Sequence, residues 1–180
     1  KLSALLFQRP GEIRGMAWAE LDLDAAMWTV PAERMKRSKK DKLQGQPHLV
    51  PLSTQAVQLL RNLHPITGHG HLCFPGQRDH DRPMSENTIA AALRSLGYSG
   101  EDMTAHGFRA TARTILDEVL GVDPNVIEAQ LAHAVRDPLG RAYNRTTYLP
   151  QRKTMMQQWA DYLDTISAGA TVIPFANKAA

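Results

Sequence analysis

Apolar residues recur at three- and four-residue steps along much of the chain, which is the spacing of one helix face. After Pro150 this pattern predicts a long late helix, with a packed face of Met155, Met156, Trp159, Tyr162, Leu163 and Ile166. Similar spacing predicts helices over residues 53–65, 85–97 and 107–120, and a short helix over 123–133. Serines open two of them, and proline or glycine marks their ends. Most of the chain is therefore predicted to be helical.

Three short segments are typical of strands instead. Residues 27–30, 48–52 and 72–74 are rich in strand-favouring side chains and bounded by turn formers. They predict a small antiparallel three-stranded sheet, so the fold class is α+β and mostly helical. The first two segments are joined by a basic loop, and a hairpin would hold its cations together at one edge.

Length and composition predict one domain. With 180 residues, 43% of them hydrophobic, the chain can bury one core, which we place in residues 1–166, with a small-residue-rich tail over 167–180. Cys73 is the one cysteine, so an internal disulfide is excluded, and no apolar run reaches the ~18 residues of a membrane span. We expect a cytoplasmic protein. The abrupt start without methionine suggests a fragment whose upstream domain was removed.

Charge distribution changes the picture more than the net charge of +3 does. One cationic cluster lies between residues 34 and 42, with Arg34, Lys36, Arg37, Lys39, Lys40 and Lys42. A second contains Arg136, Arg141, Arg145, Arg152 and Lys153. Either cluster alone is typical of a solvated surface, but together they favour a nucleic-acid interface.

The segment with the most chemical content is Thr104-Ala105-His106-Gly107-Phe108-Arg109. His106 and Arg109 stand three apart at a predicted helix start, so they share a face near backbone amides that attract anions. Both side chains could converge on one phosphate oxygen. His-x-x-Arg alone occurs in many helices, so other motifs must accompany it.

Such motifs do accompany it. Arg9-Pro10-Gly11-Glu12, Met35-Lys36, Val50-Pro51-Leu52-Ser53, the His106 helix, Leu131-Ala132-His133 and Tyr143-Asn144-Arg145 follow one another along the chain. In this order, over about residues 6 to 163, the chain resembles the catalytic domain of the tyrosine site-specific recombinases, and within them the integrases of phages and genomic islands.

The resemblance implies a role for each matched residue. Arg9 and Arg109 would grip the scissile DNA phosphate, where permanently charged, forked guanidiniums suit the developing charge. Tyr143 would attack that phosphate and remain joined to it, and Lys36 would protonate the departing 5′ oxygen.

Other matched positions complete the implied site. His106 and His133 would donate to the phosphate or manage the phenol proton, with the choice of base left open. Glu12 would be a buried partner that orients Arg9. Arg14 is the alternative to Arg9, and Tyr148 is the alternative nucleophile because the step from His133 to Tyr143 is slightly long.

The same resemblance implies partners and excludes cofactors. The partners are double-stranded DNA attachment sites, other recombinase protomers in a synaptic tetramer and accessory DNA-bending proteins, all at the nucleoid. No metal or other cofactor is implied, because arginines supply the charge that Mg²⁺ gives many nucleases.

Three rival interpretations remain. A type IB topoisomerase or telomere resolvase uses the same residue types, although the Arg-Pro-Gly-Glu and Leu-Ala-His contexts argue against it. A non-catalytic DNA-binding module would use the cationic clusters only to hold phosphates. A metal-binding regulatory protein would use His64, His69, His71 and Cys73, whose spacing is wrong for common structural zinc sites.

Overall fold

Helices dominate the part of the chain that the computed structural model describes, residues 1–36, 45–133 and 148–169. In chain order the helices are α1 (Leu2–Leu6), α2 (Pro10–Arg14), α3 (Thr54–Thr67), α4 (Thr88–Ser95), α5 (Gly107–Glu118), α6 (Pro124–Gln130) and α7 (Leu149–Ser167). The strands β1 (Leu21–Asp22), β2 (Met27–Val30) and β3 (His48–Pro51) form one antiparallel sheet in that order. The predicted mostly helical α+β class with a small antiparallel three-stranded sheet is confirmed.

The sheet presents alternate side chains to the core. Trp28 pairs with Val50 across β2 and β3, and both side chains are buried along with that of Val30. Alternation of this kind is expected when one face of a strand is covered. Short 3₁₀ turns at Trp18–Glu20 and Ala32–Arg34 flank the first two strands.

The identity of the third strand was predicted wrongly. Residues 72–74 do not join the sheet, since Leu72 makes only an isolated bridge to Ala17, supported by a bond from the Cys73 amide to the Met16 carbonyl. Gly70 and Pro75 bound this segment closely and leave little backbone to pair. The third strand is β1, whose two residues are too few to show a periodic pattern.

The long late helix is confirmed as α7. Its buried residues step by three and four from Arg152 through Met155, Met156 and Trp159 to Ala160. The Trp159 indole packs edge-on against Phe7, with ring centroids 6.0 Å apart, and its Nε1 donates to the Ala4 carbonyl at 2.9 Å. This face binds the first residues of the chain to its last described helix.

Several helix boundaries differ from the predicted ones by one to three residues, and two of these differences have a clear local cause. α3 continues past Pro65 to Thr67. A proline in the last turn removes only one amide donor, and the Gly68 amide still donates to the His64 carbonyl and closes the turn. α4 begins at Thr88, three residues beyond Ser85, which instead accepts from Asn87 and Thr88 in a preceding turn.

The N-terminal segment supplies a turn that the periodic pattern did not reveal. α1 packs against α3, α5 and α7, and it ends at Phe7, whose backbone is left-handed with φ 38°. This turn brings the Phe7 carbonyl to Arg109 on α5 and the Gln8 side chain to the end of α6. Within the described ranges, no helix is both long and apolar enough to cross a bilayer.

Replacing Trp159 by alanine tests how much of the fold depends on the α7 face. We expect Trp159→Ala to lower the free energy of unfolding by about 3–5 kcal/mol, since it empties a core position and leaves the Ala4 carbonyl unpaired. Ile166, which was wrongly predicted to lie on the packed face, is 42% exposed, so Ile166→Ala on the same helix is the matched control and should change little. Urea unfolding followed by circular dichroism measures both, and equal losses would contradict the packing.

Candidate functional site

Arg109 is the buried cation around which the site is built. It lies in the first turn of α5 and is 5% exposed. Its Nη1 donates to the carbonyl of Phe7 at 3.0 Å, and its Nη2 donates to the carbonyl of Leu131 at 2.8 Å. Phe7 and Leu131 cap the C-terminal ends of α1 and α6, where unpaired carbonyls and the helix dipole favour a cation. The guanidinium is therefore satisfied although it is buried.

Arg9 stands at the start of α2, held by Glu12. The Glu12 side chain accepts from the Arg9 backbone amide at 3.2 Å and from the Arg9 Nη1 at 3.0 Å. Glu12 is 2% exposed, whereas the Arg9 side chain is 19% exposed. The expectation that Glu12 is a buried partner of Arg9 agrees with this geometry. Glu12 therefore fixes the Arg9 guanidinium by a charge-assisted hydrogen bond, while part of the Arg9 side chain stays exposed.

Electrostatic effects on Arg109 indicate that the two arginines are close. Burial, followed by the positive charge of Arg9, lowers the pKa of Arg109 to about 10, while Glu12 and Glu128 act in the opposite direction. The guanidinium is still charged at neutral pH. The two like charges create a local positive potential that an anion between them would relieve.

His133 lies directly beside Arg109, just beyond the end of α6. Its Nε2 is 3.4 Å from the Arg109 Nη2, and its Nδ1 is 2.5 Å from the Glu128 Oε2. The other carboxylate oxygen of Glu128 accepts from the Arg113 Nε at 2.8 Å. The sequence interpretation missed Glu128 and Arg113. A glutamate on the helix that leads to a candidate histidine was the one signal available.

His106 and Lys36 border a cleft of about 540 Å³ that also reaches Arg9. His106 is the N-cap residue of α5 and is exposed, and Lys36 is exposed at the end of the described segment that follows β2. Four permanent cations, Arg9, Arg14, Arg34 and Lys36, line this cleft against the carboxylates of Glu12 and Glu86. The excess of positive charge suits a phosphate-bearing ligand.

Arg14, the alternative to Arg9, is engaged elsewhere. Its Nη1 donates to the Met84 carbonyl at 2.7 Å, and its Nη2 pairs with Glu86 at 3.1 Å. The guanidinium therefore links α2 to the segment before α4. The charge of Arg9, but not that of Arg14, is among the causes that lower the pKa of Arg109. The choice of Arg9 stays a prediction from the sequence.

A buried polar cluster around Gln130 corrects the prediction that all of the second cationic cluster lies at the surface. Arg152, which the sequence assigned to a cationic surface cluster, is fully buried. Its Nε donates to the Gln130 side chain at 2.8 Å and its Nη2 to the Leu49 carbonyl. The Gln130 carbonyl in turn bonds Gln8 and His48, each at 3.0 Å. Arg152 therefore holds the end of α6 and does not contact a ligand at the surface.

The structure describes only one of the two candidate nucleophiles. Tyr143 lies outside the described residues, as do the basic loop residues Arg37, Lys39, Lys40 and Lys42. Tyr148 caps α7 in a left-handed conformation with φ 57° and packs, half-buried, against the core. Packing of this kind is an ordinary structural role for a tyrosine.

The histidine-rich segment has structural contacts of its own. The His64 ring packs edge-on against Trp18 with centroids 4.8 Å apart. Cys73 is buried, and burial, with the charge of Glu20 second, raises the pKa of its thiol to about 12, which disfavours the thiolate that binds metals. Among residues 1–36, 45–133 and 148–169, no cluster of three His, Cys, Asp or Glu side chains could hold a metal ion.

The fold and the site together define the class of this protein. It is a mostly helical α+β domain whose site combines two arginines with a histidine bound to a carboxylate. The sequence model of the phage integrase family matches residues 4–149. The chain therefore belongs to the phage integrase family.

Relatives of known name agree with this membership. The chain is 42% identical over 171 residues to the integrase of Enterobacteria phage P4. This match covers 91% of the chain and 39% of that protein. It is 38% identical over 174 residues to the prophage integrase IntA of Escherichia coli K12. This match covers 97% of the chain and 40% of that protein. The chain thus spans about two fifths of the length of these relatives.

Solved structures share the fold. The integrase of mycobacterium phage Brujita superposes with a TM-score of 0.63 at 22% identity, covering 99% of this chain and 52% of that one. The XerA recombinase superposes with a TM-score of 0.58 at 17% identity, covering 92% and 54%.

The two-carbonyl anchor of Arg109 is tested by replacing it with lysine. Arg109→Lys keeps the charge but loses the fork, so one buried carbonyl remains unpaired and the free energy of unfolding should fall by about 1–3 kcal/mol. Arg61→Lys is the matched control, because its pairing with Asp24 is solvent-exposed and should be nearly neutral. Chemical denaturation of both variants gives the comparison, and a neutral Arg109→Lys would refute the anchor.

Proposed function

We propose that this chain is the catalytic domain of a site-specific recombinase that cleaves and rejoins duplex DNA through a covalent 3′-phosphotyrosyl intermediate, for integration or excision of a mobile element. The observation that carries the proposal is the buried Arg109 guanidinium, which is held by the Phe7 and Leu131 carbonyls next to His133. Membership in the phage integrase family supports it.

Charge stabilisation is the first requirement of this reaction. Phosphoryl transfer concentrates negative charge on the non-bridging phosphate oxygens. The two carbonyls and His133 use three of the five N–H donors of Arg109 within the described residues, so the fork can still donate to a phosphate oxygen. Arg9, fixed by Glu12 but partly exposed, supplies the second forked donor.

Nucleophile and leaving group require proton transfers. The Tyr143 hydroxyl loses its proton to a base, its oxygen forms a bond to phosphorus, and the bond from phosphorus to the 5′ oxygen breaks. Lys36 protonates that oxygen, and His106 and His133 contact the phosphate or accept the phenol proton. Rejoining reverses these steps, so the phosphodiester is restored without an external energy source.

The proposed organisation is that of one domain in a longer protein, since the chain spans only 39% and 40% of the length of two relatives. It has DNA-binding domains upstream, a catalytic domain at residues 1–166 and a tail at 167–180. The whole protein would bind double-stranded attachment sites and assemble as a synaptic tetramer, aided by DNA-bending proteins, at the nucleoid in the cytoplasm. Tethered modules would raise the affinity of each for DNA.

Covalent trapping tests the reaction and its nucleophile together. Full-length protein is incubated with a nicked suicide duplex that carries the attachment site, and denaturing electrophoresis detects the adduct. We expect wild type and Tyr148→Phe to form it and Tyr143→Phe to lose it, since only the nucleophile becomes bonded to phosphorus.

Each other outcome decides against part of the proposal. Loss only in Tyr148→Phe would move the nucleophile to the start of α7. Absence of any adduct from wild-type protein that binds the duplex would favour a non-catalytic binding module.

Lys36→Ala tests the leaving-group acid. Adduct formation should slow by ~10²–10⁴-fold with DNA binding retained, because a positioned acid contributes about that much. Arg61→Ala removes an exposed cation outside both cationic clusters, on α3, and should cleave normally. A duplex with sulfur in place of the 5′ leaving oxygen needs no acid and should restore the rate of Lys36→Ala. Failure of that rescue would remove Lys36 from the role of acid.

A further inference from the structure

Glu128 contacts His133 in two ways. The His133 backbone amide donates to the Glu128 carbonyl at 3.0 Å, and the His133 Nδ1 lies 2.5 Å from the Glu128 Oε2. Ala132, between them in the chain, is left-handed with φ 53°, and this turn brings the imidazole back over the end of α6. The ring orientation is therefore set by its neighbour on α6 as well as by the main chain.

The two neighbours of the ring select one tautomer. A carboxylate only accepts hydrogen bonds, so the Nδ1 facing Glu128 carries the proton. A guanidinium only donates, so the Nε2 that lies 3.4 Å from the Arg109 Nη2 presents its lone pair. The neutral form protonated at Nδ1 satisfies both contacts, whereas a proton on Nε2 would face a cationic donor.

The carboxylate itself is held in place. Arg113, one turn after Arg109 on α5, donates from Nε to the Glu128 Oε1 at 2.8 Å. Burial alone would raise the pKa of Glu128, but the hydrogen bonds from Arg113 and His133 outweigh it and lower this pKa. Glu128 is therefore ionised at neutral pH and can only accept.

We propose that Glu128 is a positioning residue that holds His133 as the Nδ1–H tautomer, so that the His133 Nε2 lone pair accepts from the Arg109 Nη2 and fixes the guanidinium for the scissile phosphate. This inference rests on the proposed function. Glu128 acts through His133 and Arg109 and takes no part in the proton transfers.

His106 lacks an equivalent support. It is exposed at the N-cap of α5, its side chain makes no capping bond, and no carboxylate binds it within the described residues. Neither of its ring nitrogens is selected as the acceptor. The structure thus distinguishes two histidines that the sequence left equivalent.

Nitrogen-15 NMR of the His133 ring in the 180-residue chain reads the tautomer without DNA or turnover, with His133→Gln used for assignment. In mildly alkaline buffer the wild-type ring should be protonated at Nδ1. Glu128→Met, nearly isosteric but without an acceptor, should shift the ring toward the Nε2–H form. Glu128→Gln, whose side-chain oxygen still accepts, should retain the wild-type tautomer.

Arg113→Met is the matched control for kinetics, because both it and Glu128→Met break the Arg113–Glu128 pair but only Glu128→Met removes the partner of His133. In full-length protein with the suicide duplex, Glu128→Met should slow adduct formation by about 10- to 100-fold with DNA affinity unchanged. Arg113→Met loosens Glu128 but leaves its bond to His133, so this variant should slow adduct formation much less than Glu128→Met does.

Three results would overturn the inference: a wild-type ring protonated at Nε2, equal rate losses in Arg113→Met and Glu128→Met, or a normal rate in Glu128→Met. If wild-type protein forms no adduct at all, the proposed function fails instead, and the NMR result still decides whether Glu128 sets the tautomer.

Discussion

A permanently charged guanidinium is buried between two helix ends, and the arrangement of the site follows from satisfying it. Withdrawing such a group from water costs several kcal/mol unless strong acceptors replace the solvent. The Phe7 and Leu131 carbonyls do so for Arg109, each because its helix ends there. The chain continues from these two turns to Arg9 and His133. The bonds that stabilise the buried charge therefore also determine where its neighbours lie.

The charges around Arg109 are balanced without being neutralised. Arg9 disfavours the charge on Arg109, and the carboxylates of Glu12 and Glu128 favour it. Each carboxylate is engaged with a partner of its own, Glu12 with Arg9 and Glu128 with Arg113 and His133. Their lone pairs are thus committed, while the arginine forks keep donors for an incoming anion. A phosphate would relieve the repulsion between two cations that the fold holds together.

Local patterns predicted what depends on local spacing. The packed face of α7, strands β2 and β3 and the Arg109 turn of α5 all follow from repeats or motifs within a few residues. The two-residue β1, the continuation of α3 past Pro65 and the burial of Arg152 did not. β1 is too short to show a periodic pattern, and α3 continues because the Gly68 amide still closes its last turn. Arg152 depends instead on partners distant in sequence, since its charge indicated a surface position and its acceptors lie on Gln130 and Leu49. Glu128 was missed because its role depends on which way the chain turns at Ala132.

Gln130 explains why a site assembled from short helices can be well defined. Seven-residue α6 has few hydrogen bonds of its own, and helices of that length are marginal in isolation. Its last residue is held by Gln8, by His48 on β3 and by Arg152 on α7, partners up to 122 positions away. Because Glu128, Leu131 and His133 belong to α6 or the turn after it, their positions relative to Arg109 depend on all of these elements. The geometry of the site is therefore a property of the folded domain as a whole, and it cannot form in any one segment alone.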